Sequence, residues 1–156
     1  MAAGLSAIYD QGVVKYSLGW TVTNLPATPT NIGVSLHSGA IGTNKVSVTE
    51  WTSGANANTN YLVRLSMGVG SANWSVAAFV AGTGVVAGNA VQQAFFSPGG
   101  LTGTGSNILA VALQDALAVG AGNLLWFADI SSQAVATGII VQFNTGSPSD
   151  ITVTLL

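Results

Sequence analysis

The stretch Asn31–Leu65, NIGVSLHSGAIGTNKVSVTEWTSGANANTNYLVRL, decides the fold. It begins with Ile32, Val34 and Leu36 alternating with Gly33 and Ser35, the two-residue period of a half-buried strand. The alternation stops at His37-Ser38-Gly39, a polar, glycine-bearing excursion follows, and apolar character resumes at Tyr61-Leu62-Val63-Arg64-Leu65. A strand, a long loop and a returning strand are how a β-scaffold displays a loop. Arg64 is the only arginine in the chain. On an apolar strand its guanidinium requires a carboxylate or loop carbonyls, which would pin the excursion to the sheet, and Glu50 is the first candidate partner. The competing reading leaves Arg64 on a solvent face. His37, at a strand end before Ser-Gly, reads as a residue hydrogen-bonded to the loop, with contact to a partner as the second reading.

Outward from this stretch the same period recurs. Strands are expected at Ile32–His37, Val46–Trp51, Tyr61–Met67, Trp74–Val80, Val91–Phe96, Ile108–Leu113, Leu124–Asp129, Ile139–Phe143 and Ile151–Leu155. The separators carry turn chemistry: Ser97-Pro98-Gly99-Gly100, Gly120-Ala121-Gly122-Asn123 and Asn144-Thr145-Gly146-Ser147-Pro148 each supply a fixed φ or φ-permissive positions. Upstream, Leu5, Ile8, Tyr9, Val13 and Tyr16 fall near helical spacing and predict one short N-terminal helix over residues 3–17. Residues 18–30, with Pro26 and Pro29, read as an extended linker. The expected fold class is therefore mainly β, a β-sandwich with jelly-roll or Greek-key connections over 31–156, in a single domain 1–156.

Composition narrows function. Charged residues make up 5% of the 156 and hydrophobic ones 49%, so polar uncharged side chains or other subunits must cover the surface. A net charge of −2, with three lysines and arginines in all, gives no grip on DNA or RNA. No cysteine is present, which removes disulfides, thiolate metal sites and a cysteine nucleophile. The opening MAAGLSAIYDQG lacks the basic start and continuous apolar centre of a secretory signal. Ser75–Phe96 has the length of a membrane span, but its glycines, Asn89, Gln92-Gln93 and the absence of basic flanks favour buried β-structure.

Catalytic sets are thin. His37 is the only histidine and no G-x-S-x-G elbow accompanies it, so no Ser-His-Asp triad is expected. The carboxylates Asp10, Glu50, Asp115, Asp129 and Asp150 are scattered; Asp115 and Asp129 sit at strand ends, where carboxylates cap turns. No calcium-loop or phosphate-loop pattern occurs, so neither a metal nor a cofactor is expected. Trp20, Trp51, Trp74 and Trp126 read as core and interface anchors, with a sugar-stacking platform as the weaker alternative.

The order of features along almost the whole chain resembles a family of small tailed-bacteriophage virion proteins, of tail-fibre-like or head-decoration type. The similarity is carried by Ser35-Leu36-His37-Ser38-Gly39-Ala40-Ile41-Gly42-Thr43, Glu50, Tyr61-Leu62-Val63-Arg64, Trp74, Phe96-Ser97-Pro98, Gly122-Asn123-Leu124-Leu125-Trp126-Phe127, Gly138-Ile139-Ile140-Val141-Gln142-Phe143 and Ile151-Thr152-Val153. At Ala40-Ile41 the chain departs from the pattern, which places an acidic residue and proline there. The resemblance implies a non-enzymatic virion component that forms a homo-oligomer, a trimer being one form, and binds the major capsid protein or other virion proteins. The expected role is a capsid decoration, or cement, protein; the alternative is a tail or fibre component with carbohydrate-binding host adsorption. It would be made in the host cytoplasm and reside on the virion, with no nucleic-acid or membrane partner. His37, Glu50, Tyr61 and Arg64 are the candidate loop-pinning or contact residues.

Overall fold

A computed structural model describes residues 3–7, 11, 14–15, 17–18, 29–46, 49–51, 61, 64–76, 81, 85–95, 107–145 and 150–155. Among them the chain is mainly β. In order the strands are β1 (Ala3–Leu5), β2 (Gly33–His37), β3 (Leu65–Ser66), β4 (Trp74–Val76), β5 (Val85–Asn89), β6 (Gln93–Phe95), β7 (Ile108–Gln114), β8 (Leu124–Gln133), β9 (Val141–Phe143) and β10 (Thr152–Leu155). They form a five-stranded sheet in the order β1-β8-β7-β2-β3, a three-stranded sheet β10-β5-β4 and a ribbon β6-β9, every pairing antiparallel.

The alternation at 32–37 yields β2, which sits between β7 and β3, with Val34 opposite Leu113 and Leu36 opposite Val111. One face feeds the main core of Val34, Leu36, Trp51, Tyr61, Met67, Phe95, Leu113, Leu125 and Phe143, which joins the large sheet to the β6-β9 ribbon. The polar positions do not face water: all five residues of β2 are buried. Their side packs with a second cluster of Ile41, Ala110, Ala112, Leu124 and Phe127. Aromatic rings run through the main core, Trp51 edge-on to Tyr61 at 5.7 Å, Tyr61 to Phe95 at 5.6 Å and Phe95 to Phe143 at 6.3 Å.

The structure departs from the expected elements at four places. The helix over 3–17 is not seen as an element, because Ala3–Leu5 extends along the free edge of β8, pairing with Ala128, Phe127 and Trp126. A sheet edge supplies partners for backbone groups that a glycine-containing helix start holds weakly, so tertiary pairing outweighs local periodicity. Ala7, Gln11, Val14, Lys15 and Ser17 do have helical backbone, while residues 8–10, 12–13 and 16 lie outside those described. The strand over Val46–Trp51 reduces, among the described residues, to one bridge between Glu50 and His37. Conversely β5 falls between the expected strands Trp74–Val80 and Val91–Phe96, within the stretch read as buried β-structure; pairing on both sides by β4 and β10 makes it a strand. β8 runs past Asp129 to Gln133, accommodated by an irregularity opposite Ile108 and Ala110. The linker over 18–30 lies mostly outside the described residues.

Candidate functional site

Glu50, Tyr61 and Arg64 converge behind β2. The excursion returns to the sheet where Trp51 N–H donates to Leu36 O at 2.7 Å and Glu50 bridges His37, which sets the Glu50 carboxylate inside the protein. The returning segment brings Tyr61 and Arg64 to it. Arg64 forms a two-pronged pair, Nε to Oε1 at 2.8 Å and Nη2 to Oε2 at 2.8 Å, with the two side chains 1% and 6% exposed. Tyr61 OH donates to Oε1 at 2.8 Å and accepts the Leu36 N–H at 3.1 Å, while Gly120 N–H donates to Oε2 at 3.0 Å. Each carboxylate oxygen thus accepts two hydrogen bonds, which fills its acceptor capacity.

The other side of the guanidinium holds the loop between β7 and β8. Nη1 donates to Ala116 O at 2.9 Å and to Ala121 O at 2.6 Å, and the Arg64 main-chain N–H donates to Leu117 O at 2.9 Å. Gly33 makes this closeness possible, since a Cβ there would lie 2.8 Å from Ala116 O and 3.1 Å from Arg64 Cβ. Gly122 closes the loop with φ +75°, the left-handed region, where a Cβ would also meet Asp115 Oδ1 at 2.5 Å.

Burial pushes the Glu50 carboxyl up, but the hydrogen bonds from Arg64, Gly120 and Tyr61 and the Arg64 charge outweigh it and hold the group below the usual carboxylate range. Burial is also the main reason the Tyr61 phenol is pushed well above its ordinary value, with the Glu50 charge adding to it. A carboxylate so saturated is poorly suited to act as a base, nucleophile or metal ligand.

His37 stands apart in its side chain. Its Nε2 lies 2.9 Å from Ser35 Oγ, which accepts from Gln114 Nε2 at 2.8 Å and lies 3.4 Å from Ala112 O. A serine hydroxyl on an imidazole has the form of a nucleophile and its base. Here both residues have no exposed surface, so the row ties β2 to β7 rather than presenting an oxygen. Ser35 and Gln114 were not singled out from sequence, because an alternating strand assigns its polar positions to solvent; only the second cluster shows that this face is covered.

The remaining described carboxylates cap loops. Asp129 accepts Ile41 N–H at 2.7 Å and Gly42 N–H at 2.9 Å; Asp115 accepts Asn123 N–H at 2.5 Å and its side-chain amide at 2.7 Å; Asp150 accepts both the main-chain and side-chain N–H of Asn144, at 2.7 and 3.0 Å. Asp10 lies outside the described residues. Among the described residues no cluster of histidine and carboxylates has the arrangement of a metal site, and no helix is long and apolar enough to cross a membrane. Trp51 is buried, and Trp74 and Trp126 are partly buried and pack against the main core; Trp20 lies outside the described residues.

No protein-family model and no curated protein matches this chain.

Proposed function

We propose that this chain is a structural subunit of a tailed-bacteriophage particle: a decoration protein that binds the assembled head and reinforces it as a homo-oligomer. One observation carries the reading. The chain holds few charges, those of Glu50, Arg64, Asp115, Asp129 and Asp150 are engaged in internal contacts, and large aliphatics stand exposed, Leu18 at 68%, Val76 at 67%, Val14 at 57% and Val46 at 53%. Apolar area of this kind contributes about 25 cal/mol per Å² when a neighbour covers it, and it needs no complementary charge. A β-sandwich with jelly-roll or Greek-key connections is the finer fold in this proposal, supported by the core that the large sheet shares with the β6-β9 ribbon.

Gold-labelled antibody imaging of intact virions tests the reading. Label spread over the head is the expected result. Label confined to the tail overturns decoration in favour of a tail or fibre subunit, and no label on the particle overturns both. Binding to heads should also survive salt, because exposed charges are screened over about 10 Å at 0.1 M whereas apolar contacts are not.

A further inference from the structure

We propose that the Glu50–Arg64 pair is a releasable latch: with Glu50 neutral, the loop between β7 and β8 opens while the five-stranded sheet stays folded. The inference is independent of where the protein resides. Its basis is how the loop is held. Ala116 O, Leu117 O, Gly120 N–H and Ala121 O all bond to residue 64 or residue 50, while Asp115 and Asn123 close the base of the arch, Ala121 N–H bonds to Ala118 O within it and Val119 packs on the main core. The sheet beside it rests on other forces, the β2-β7 and β7-β8 ladders and the two apolar clusters. The loop tip is exposed at Ala118, Gly120, Ala121 and Gly122, so water can take up its backbone groups once it lifts.

Neutralising Glu50 acts on the latch from two directions. The Gly120 N–H loses a charged acceptor, and Arg64 becomes a buried cation without a counter-charge, which water admitted by a lifted loop would solvate. The titratable groups around Glu50 are Arg64 and Tyr61 in contact with it, His37 across the bridge, and Asp115 at the base of the loop. Because the folded protein keeps Glu50 ionised more readily than the unfolded chain does, the latch is closed at neutral pH and is lost as pH falls below about 4.3, the ordinary glutamate value.

The test is hydrogen exchange on the whole chain, read at the amides that hold the loop, those of Arg64, Gly120 and Ala121, and at those of β7 and β8. In Glu50→Gln at pH 7 the loop amides should exchange about tenfold faster or more, with the β7 and β8 amides unchanged. The unaltered protein taken from pH 7 to pH 3, with rates referred to the intrinsic rate at each pH, should show the loop opening before the sheet. Asp115→Asn, which keeps Glu50, should retain that acid response. Loss of loop and sheet protection together, in the variant or in the acid series, overturns the latch, as does a loop that stays protected in both. If Glu50→Gln does not fold, the acid series alone decides between these outcomes.

Discussion

Replacing Arg64 with methionine leaves a methylene stem of similar reach and takes away every charge partner of Glu50. The stranded carboxylate then keeps only Tyr61 OH and Gly120 N–H as donors, and Ala116 O and Ala121 O lose theirs. Removing one member of a buried ion pair costs about 3–5 kcal/mol. The two surviving donors and the exposure of Ala121 place the loss near the lower end, about 3 kcal/mol. For a chain of this length about 1 kcal/mol corresponds to about 2–4 °C, so thermal unfolding followed by circular dichroism should fall by about 6–12 °C at pH 7. The electrostatic origin has a signature of its own. Without Arg64, burial is opposed less, the Glu50 carboxyl moves up, and the folded variant takes a proton more readily than its unfolded chain. Its stability is then best below the unfolded value of about 4.3 and falls as pH rises through the folded one, so the deficit against the unaltered protein should narrow from pH 7 towards pH 4. A loss below about 1 kcal/mol, or one of equal size at both pH values, refutes the reasoning, because the second is what lost packing alone would give.

Further outcomes follow from the same neighbourhood. Tyr61→Phe keeps the ring stack on Trp51 and Phe95 but orphans the Leu36 N–H, so urea unfolding should show a loss of about 1–3 kcal/mol. Gly33→Ala drives a methyl group onto Ala116 O and should cost about 1–3 kcal/mol in the same assay; an unchanged midpoint would show that the loop has room to retreat. At high pH the raised Tyr61 value makes the fold hold the phenol proton more tightly than the unfolded chain does. Stability should therefore be level below about pH 10 and decline above it, and Tyr61→Phe should flatten that decline.

Much of the sheet was legible because a half-buried strand writes its period into the chain. Val34 and Leu36 announce β2 by that alternation, and the continuous apolar run Leu124–Phe127 after the Gly120–Asn123 turn announces β8, before any partner is known. Glu50 as first candidate partner of Arg64 was legible for a related reason, in that so uncharged a chain gives a guanidinium on an apolar strand few places to put its charge, but the burial of the pair is what removes the solvent-facing reading. Of the strand over Val46–Trp51 the described residues show the bridge of Glu50 to His37, and β5 falls between two expected strands. Asp115 and Asp129 could be read as caps from their strand-end positions, though their acceptor geometry could not.

From sequence alone came the mainly β class, the excursion after His37, Glu50 as first candidate partner of Arg64 and the lack of a basic cluster that argues against a nucleic-acid partner, since all of these depend on local period and composition. Only the tertiary structure decided that β2 is buried on both faces, that Ser35, His37 and Gln114 form an internal row, and that one carboxylate and one guanidinium hold a loop more than fifty residues away in sequence. The physical reason is that burial and hydrogen-bond saturation are properties of what packs around a residue, and residues 36, 50, 64 and 116–121 meet only once the sheet has assembled.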